Sequence, residues 1–408
     1  MLNERYEELT AWLFQQFPSY QQVGASAYKP TLDNTIALLQ RIGNPQERLR
    51  FVHVAGSNGK GSVCSMLASV LTASGQRTGL FTSPHISDYR ERVRVNGECI
   101  DQETVVSFID TIRKEDLNFE PSFFEITFAL ALYHFDRQKC DICVIETGLG
   151  GRLDATNVIE PLICAITTIS LEHTQILGAT LELIAHEKAG IIKAGVPVVL
   201  GRMESAVETI FDETAKRLGS PLLRSESTKI DGFQLSLLGS YQEDNFKTVL
   251  TLCHALKPAL NLSKIEIQRG LDQLQTNSGF TGRLQVMQRN PLVIYDVSHN
   301  ASGISASLET ILKLNKGQLR IVYGTSNDKD MDAIVPLIPK DALLYLSEFQ
   351  NPRTMNVNKL LAHFGEHSLQ HAVGFTDAKK ALSSALSESL EDDTIWITGS
   401  FFLIADFL

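Results

Sequence analysis

The sequence predicts an α/β protein with two domains, each built on a mostly parallel sheet. Short apolar runs alternate with longer segments of helical periodicity, as in parallel strands joined by crossover helices. The chain has 408 residues, more than one core usually serves, and residues 275–283 (QTNSGFTGR) form a polar, glycine-rich candidate linker. We therefore expect one domain over residues 1–282 and a smaller one over 283–408.

The first domain is expected to open with two helices and to continue as alternating strands and helices. A tight hairpin is predicted at Asn96-Gly97, since this dipeptide suits two-residue turns. In chain order we predict helices at 4–17 and 32–42, strands at 51–55 and 77–82, helices near 102–114 and 123–135, the strands ICVIET and ICAITTIS, the helix LELIAHEKAGII, the strand PVVL, a helix after residue 203, an extended segment FQLSLLG and two helices ending near residue 274.

The second domain has the same alternation in fewer residues, so we predict a smaller, Rossmann-like α/β domain. It begins with two strands in VMQRNPLVIYDV and then alternates helices and strands at 302–314, 319–324, 329–337, 342–347, 357–366, 376–390 and 394–398. In such sheets ligands bind beyond the carboxyl ends of the strands, so functional residues are expected there.

Composition excludes several classes of protein. A net charge of -10 and a pI near 5.5 argue against a nucleic-acid surface. No window approaches about 18 uninterrupted apolar residues, and the first residues lack the pattern of a signal peptide, so we expect no membrane span and a cytoplasmic location. The six cysteines include one C-x-x-C, Cys140 and Cys143, but no second pair, which favours buried thiols over a zinc or redox site.

The stretch from Phe51 to Leu71, FVHVAGSNGKGSVCSMLASVL, predicts a strand, a phosphate-binding loop and a helix start. Glycines allow backbone amides to converge on an oxyanion, and Lys60 adds an ammonium group. The spacing departs from G-x-x-x-x-G-K-[ST], because Gly61 separates Lys60 from Ser62. A glycine-rich turn that binds nothing is the alternative, but a nucleoside triphosphate explains the lysine, so the first domain is predicted to be P-loop-containing. The expected nucleotide ligands are Gly56, Asn58, Gly59, Lys60, Gly61 and Ser62.

Polar side chains also follow other predicted strands of the first domain. Ser83 and His85 follow the strand ending at Thr82, Glu146 lies in an apolar strand, and His173 follows the strand ICAITTIS. Mg²⁺ bound to ATP prefers oxygen ligands and keeps several waters, so one carboxylate and one hydroxyl are a plausible protein share. Each residue also has a structural reading: a turn cap, a paired buried charge or a loop histidine. Glu146 is the strongest candidate, since a buried carboxylate needs a cation or a donor.

Eight motifs in order resemble folylpolyglutamate synthase and dihydrofolate synthase, of the ATP-dependent muramyl-ligase superfamily. The resemblance covers nearly the whole chain, from about residue 25 to the C-terminal TGSFFLIADFL. The motifs are GSNGKGS (56–62), SPH (83–85), YRERVRVNGE (89–98), SFFE (122–125), ETGLGGRLDATN (146–157), EHTQILG (172–178), HEKAGIIK (186–193) and DVSHN (296–300).

This resemblance implies an ATP-dependent ligase. ATP would phosphorylate a carboxylate of dihydropteroate or a reduced folate, and L-glutamate would attack the acyl phosphate. Lys60, Lys188 and His173 would be catalytic, and Mg²⁺ would be held by Ser83, Glu146, His173 and Lys188, the last as a carbamate. Glu172 stands where the family more often has aspartate, which lengthens the side chain beside His173 by one methylene.

The resemblance also assigns the substrates. Asn245 would recognise adenine, Arg283 the phosphates and Asp296 the ribose, with His299 nearby, as the second domain closes over ATP and binds glutamate. A monomer is expected. The matching folate positions are Tyr28, Lys29, Pro30, Ser122, Phe124, Glu125, Leu153, Asp154 and Ala155.

Three other functions each match part of the sequence. A muramyl-peptide ligase is closest in chemistry, although SPH and YRERVRVNGE favour folates. A P-loop nucleotide switch would need N-K-x-D, but Asn327-Asp328-Lys329-Asp330 carries an extra residue. A dinucleotide oxidoreductase would use GLGGRLD, where Leu153 replaces the third glycine. Whether one or both folate activities are present stays open, with bifunctionality favoured.

Overall fold

The computed structural model describes residues 2–17, 29–114, 117–260, 262–366 and 371–408. The described chain divides into two compact units. The first comprises the residues up to Ser236 together with Gln242–Phe280, and the second comprises Leu237–Tyr241 with Thr281–Leu408. Each unit contains one sheet.

The first unit is built on an eight-stranded, mostly parallel sheet. Its strand order is β4-β3-β2-β5-β1-β6-β7-β8, and only the pairs β2/β3 and β3/β4 are antiparallel. The predicted hairpin is confirmed, with Asn96 and Gly97 both at positive φ. The strands are β1 Phe51–Ala55, β2 Thr78–Phe81, β3 Val93–Val95, β4 Glu98–Cys99, β5 Ile142–Glu146, β6 Pro161–Ile166, β7 Val198–Leu200 and β8 Leu222–Arg224.

Helices cover this sheet and bury its apolar side chains. β1, β5 and β7 are buried along their whole length, as expected of parallel strands between two helical layers. The helices are α1 Leu2–Gln16, α2 Asp33–Arg41, α3 Lys60–Ala73, α4 Gln102–Lys114, α5 Phe123–Arg137, α6 Thr174–Leu177, α7 Leu181–Ala189, α8 Ser205–Leu218, α9 Ser240–Leu256, α10 Lys264–Asp272 and α11 Leu274–Ser278.

The second unit has a six-stranded sheet of order β13-β12-β11-β14-β10-β9, antiparallel only at β9/β10. Trp396 and Tyr323 are fully buried in its core. Its strands are β9 Gln285–Arg289, β10 Leu292–Tyr295, β11 Leu319–Tyr323, β12 Leu343–Ser347, β13 Ala372–Phe375 and β14 Thr394–Thr398, and its helices are α12 Ala301–Leu314, α13 Met331–Ile334, α14 Val357–Glu366, α15 Ala378–Ser387 and α16 Phe401–Ala405.

The predicted α/β alternation and mostly parallel sheets are confirmed, with differences at short elements. Sequence reasoning missed five elements of five residues or fewer: β8, β13, α6, α11 and α16. The segment FQLSLLG, residues 233–239, was predicted to be extended, and it forms no ladder with another strand. Instead the Gln268 side chain accepts from Gln234 N at 2.9 Å and donates to Gln234 O at 3.0 Å. A glutamine on α10 thus replaces the neighbouring strand.

Two further expectations concern the cysteines and membrane-spanning helices. All six cysteines are free thiols, and Cys140 and Cys143 are both buried. Among the described residues, no helix combines the length and the apolar composition needed to cross a bilayer.

A buried polar cluster holds the amino ends of β11 and β14 together in the second unit. Arg320 donates to Asp393 Oδ2 at 3.1 Å, to Tyr345 Oη at 2.7 Å and to the Glu388 carbonyl at 2.6 Å. Arg320 and Asp393 are both buried. A buried ion pair matters most when it is broken, because the remaining charge has no solvent.

We expect Arg320→Ala to lower the free energy of unfolding of the second unit by about 3 kcal/mol, since Asp393 would stay buried without its partner. Urea unfolding followed by Trp396 fluorescence, in a Trp12→Phe background, measures this change. The control is Lys313→Ala, which breaks an exposed ion pair with Glu309 in the same unit and should cost less than about 0.5 kcal/mol. Equal effects of the two variants would contradict the cluster's role.

Candidate active site

The glycine-rich loop between β1 and α3 requires glycine at two positions. Gly56 has a φ of +148°, and a Cβ there would lie 1.9 Å from Thr167 Oγ1. Gly59 has a φ of +87°, and its Cβ would lie 2.3 Å from Asn245 Oδ1. No side chain fits either contact. The same geometry places Asn245, a buried residue of α9, directly against the loop.

The segment after β6 fixes the shape of this loop. Ser57 N donates to the Thr168 carbonyl at 2.7 Å, and Asn58 N donates to Thr168 Oγ1 at 3.0 Å. Thr167 Oγ1 donates to the Asn58 carbonyl at 2.6 Å, and Ser170 N donates to Ser57 Oγ at 3.0 Å. Sequence analysis assigned no role to these hydroxyl residues. Their segment, TTIS, nevertheless lies at the carboxyl end of a strand, where polar side chains are a signal of function.

The loop leaves the first amides of α3 facing outward from the helix start. The first intrahelical bond runs from Val63 N to the Gly59 carbonyl at 2.9 Å, so the amides of residues 60–62 precede it. The Lys60 ammonium folds back and donates to the carbonyls of Gly56 at 2.8 Å and Ser57 at 3.0 Å. Helix-start amides, the positive end of the helix dipole and a lysine together form an anion-binding arrangement.

Lys188 is a buried cation at the same loop. Its Nζ donates to the Gly56 carbonyl and to Glu172 Oε1, both at 2.8 Å, and the side chain is only 1% exposed. Burial lowers the pKa of Lys188, and the Glu172 carboxylate opposes that shift. Burial alone would raise the pKa of Glu172, but the charges of Lys188 and Lys60 outweigh it and hold that pKa far below its ordinary value. The Glu172 carboxylate thus forms an ion pair with the buried Lys188.

The predicted metal residues lie at the carboxyl edge of the sheet. Glu146 ends β5 and is buried, and its Oε2 accepts from Ser83 N at 3.0 Å, so the carboxylate lies beside the serine. His173 adopts a left-handed conformation, φ +47°, at the start of α6. Within the described ranges, no three His, Cys, Asp or Glu side chains form a metal-binding group. Glu146 and Ser83 are hard oxygen donors that fit Mg²⁺ whose other ligands are phosphate and water.

A buried network holds the loop after β5. Asp154 Oδ2 accepts from Leu149 N at 2.7 Å, and its Oδ1 accepts from the Thr156 hydroxyl at 2.5 Å. Because that hydroxyl is the donor, its contact with His53 Nε2 at 2.8 Å makes Nε2 the protonated nitrogen of His53. Burial lowers the pKa of His53 to about 3, so the ring is neutral. Asp154 thus holds the loop from Leu149 to Thr156, which contains Leu153 and Ala155.

The other predicted folate residues are placed on α5 and before α2. Ser122 and Glu125 form a capping box at the start of α5, and the Thr35 hydroxyl donates to Glu125 Oε1 at 3.2 Å. Phe124 packs on Gly148, where a Cβ would lie 2.5 Å from the ring. Tyr28 lies outside the described residues. Lys29 pairs at the surface with Glu120, and Pro30 is exposed.

A second polar pair lies near the Ser83 loop, and sequence analysis missed it. Buried Arg92 donates through Nε to His85 Nδ1 at 2.8 Å, and its guanidinium lies 5.3 Å from the centre of the Phe123 ring. Burial lowers the pKa of His85 well below its ordinary value, and the Arg92 charge adds to the shift. Phe123 itself is buried in the core.

The predicted nucleotide residues of the second unit follow β10 or precede β9. The Asp296 carboxylate is fully buried and accepts from the hydroxyls of Ser298 and Ser307 and, at 3.3 Å, from Leu284 N. Arg283 and His299 are half-buried and both contact the Phe401 ring. The assigned contacts of Asp296, Arg283 and His299 with ATP stay predictions.

The chain matches two family models. The Mur ligase middle domain matches residues 54–250, and the Mur ligase glutamate ligase domain matches residues 282–401. The chain is 30% identical to the dihydrofolate synthase/folylpolyglutamate synthase of Escherichia coli, over 86% of this chain and 84% of that protein. It is likewise 30% identical to the folylpolyglutamate synthase of Lacticaseibacillus casei, over 90% and 91%. The chain spans about half the length of the probable bifunctional folylpolyglutamate synthase/dihydropteroate synthases of Halobacterium salinarum and Haloferax volcanii.

Solved structures give the same result. Escherichia coli FolC in complex with DHPP and ADP superposes with a TM-score of 0.86 at 26% identity, covering 98% of this chain and 96% of that one. Mycobacterium tuberculosis folylpolyglutamate synthase, solved with ADP and AMPPCP, gives 0.87 at 26% identity, covering 100% and 98%. The predicted family is therefore confirmed by sequence and by fold. The chain belongs to the folylpolyglutamate synthase/dihydrofolate synthase group of the Mur ligase family.

Proposed function

We propose that the chain is an ATP-dependent ligase that adds L-glutamate to dihydropteroate, to reduced folates, or to both, in the cytoplasm and as a monomer. The observation that carries the proposal is the loop of residues 56–62, whose glycine contacts, helix-start amides and Lys60 suit a triphosphate. Relatives named for this activity, and solved with ADP, AMPPCP or DHPP, support it.

The chemistry consists of two displacements. A substrate carboxylate oxygen attacks the γ-phosphorus, and the bond to the ADP oxygen breaks. The amino group of L-glutamate then attacks the acyl phosphate carbonyl, the tetrahedral intermediate collapses, phosphate leaves and the amine loses a proton. Both displacements build negative charge on oxygen, so fixed donors accelerate them.

This chain's residues supply those donors. The amides of residues 60–62 and the Lys60 ammonium would bind the transferring phosphoryl group, and Lys60 would exchange its bonds to the carbonyls of Gly56 and Ser57 for phosphate oxygens. Asn245, held by its 2.9 Å bond to Gln242 Oε1, would bind adenine beside Gly59. The network of Asp154, Thr156 and His53 would hold the loop that lines the folate site.

Mg²⁺ would be held by Glu146 and Ser83 and would supply charge neutralisation between the phosphate and the incoming carboxylate. At the second predicted position, His173 would act with a carbamate on Lys188. The unmodified ammonium of Lys188 is a cation, so it ligates no metal in the ion pair that the structure shows. Carbamylation would remove that pair and place an anion near His173.

A muramyl-peptide ligase remains the second candidate, because the family models cover Mur ligases in general. The named relatives favour the folate reaction. A nucleotide switch and a dinucleotide oxidoreductase find no comparable support.

We expect phosphate release that requires ATP and L-glutamate together with a pterin-containing acceptor. Dihydropteroate and tetrahydrofolate, supplied separately, distinguish the two activities, and a coupled phosphate assay measures both. Bifunctionality predicts release with each acceptor. Release with one acceptor alone would restrict the proposal to that activity, and release only with a uridine-diphosphate muramyl substrate would replace it.

We expect Lys188→Ala to lower kcat by roughly 10- to 100-fold, as loss of a metal-supporting group usually does. If the lysine acts as a carbamate, short carboxylic acids such as acetate should restore part of the activity, and protein supplied with ¹³C-bicarbonate should show a carbamate resonance. The control is Lys216→Ala, on the exposed face of α8.

A wild-type rate for Lys188→Ala would contradict any catalytic role of this lysine. Low activity with neither acetate rescue nor a carbamate resonance would show that Lys188 acts as the ammonium that binds Glu172 and the Gly56 carbonyl.

A further inference from the structure

Phe401 contacts two cationic or ionisable side chains in the second unit. The Arg283 guanidinium lies 5.1 Å from the centre of the Phe401 ring, within cation–π range. The His299 ring lies 5.7 Å away, centre to centre, at an interplanar angle of 57°. These three residues come from three chain segments that are distant in sequence, so the cluster is a product of the fold.

Neighbouring strands bring the segments together. β10 and β14 run parallel with Tyr295 opposite Ile397, and Gly399 N donates to the Ser298 carbonyl at 3.0 Å, so His299 and Phe401 follow adjacent strand ends. Ser400 caps α16 by accepting from Phe402 N at 3.1 Å, which fixes Phe401 in the first turn.

The backbone around Arg283 is also constrained. Val297 N donates to the Gly282 carbonyl at 2.9 Å, and Leu284 N donates to Asp296 Oδ1 at 3.3 Å. Gly282 has a φ of +78° and Leu284 a φ of +44°, which is unusual for a leucine. Strain of this kind persists where surrounding contacts determine the backbone. The backbone is therefore fixed on both sides of Arg283, and this fixes the position from which its side chain starts.

The charge of Arg283 is not balanced by a carboxylate among the residues that the structure describes. Within that part of the chain it forms no ion pair, and its one hydrogen bond goes to the Gly282 carbonyl at 3.3 Å. The guanidinium is half-buried, so it is partly desolvated without being neutralised. An arginine held on an aromatic face with most of its donors available is suited to bind an anion such as phosphate.

We infer that Phe401 is a positioning residue for nucleotide binding, whose ring holds the Arg283 guanidinium in the orientation that binds a nucleotide phosphate. The inference rests on the proposed ATP-dependent function. Phe401 itself contacts no phosphate, because an aromatic ring offers none of the donors that phosphate requires. Its contribution is to limit the rotamers of Arg283, so that less conformational freedom is lost on binding.

The test is calorimetric titration of the full chain with ADP in the presence of Mg²⁺. Phe401→Leu keeps an apolar side chain but removes the π face, and should weaken ADP binding roughly 3- to 30-fold. Phe401→Tyr keeps the face and should bind within about twofold of wild type. Phe402→Leu is the matched control, since Phe402 is the next residue of α16 and its ring stacks on Phe349 instead.

A double-mutant cycle separates positioning from folding. Once Arg283→Ala is in place, adding Phe401→Leu should change the ADP affinity by less than about twofold, because the ring has lost its partner. Additive losses, equal losses in Phe401→Leu and Phe402→Leu, or unchanged binding by Phe401→Leu would each overturn the inference. Wild-type protein that binds ADP but lacks ligase activity would overturn the proposed function alone, and wild-type protein that binds no ADP would overturn both.

Discussion

The carbonyl oxygen of Gly56 accepts hydrogen bonds from two lysine ammonium groups, and the geometry of the candidate site depends on this contact. Lys60 reaches it from the start of α3 and Lys188 from α7, each at 2.8 Å. The amides of Ser57 and Asn58 are bound by Thr168. The loop therefore has its early polar groups satisfied within the protein, and the helix-start amides are the ones directed to a ligand.

The charges around this carbonyl follow from the same arrangement. Two ammonium groups lie close together in a poorly solvated region, which is costly unless an anion is near. Glu172 supplies one such anion to Lys188. A bound triphosphate would supply more negative charge at Lys60, so the site is best neutralised when occupied. This accounts for a lysine inside a glycine-rich loop, where it has no packing role.

The sequence predicted the parts of the site that have a local signal and missed those that depend on other segments. Gly56, Gly59 and Lys60 are visible because glycines and a lysine between an apolar strand and a helix are typical of a phosphate-binding loop. The anchoring by Thr167 and Thr168, the replacement of a strand by the Gln268 side chain and the contact of Phe401 with Arg283 join residues far apart in the chain. No periodicity or spacing encodes such contacts, since they arise only when the sheets form. Short elements such as β8 and β13 were missed because three or four residues give too little pattern.

Binding of AMPPCP to Gly56→Ala, measured by calorimetry, tests most directly whether the loop geometry creates the nucleotide site. The added Cβ would lie 1.9 Å from Thr167 Oγ1 and force the Gly56 carbonyl away from its two lysines. Gly75→Ala is the control, since Gly75 has a φ of +87° but no heavy atom within 4 Å of the added Cβ. We expect Gly56→Ala to weaken binding at least roughly tenfold and Gly75→Ala to bind as wild type. Wild-type affinity in a folded Gly56→Ala variant would contradict the account.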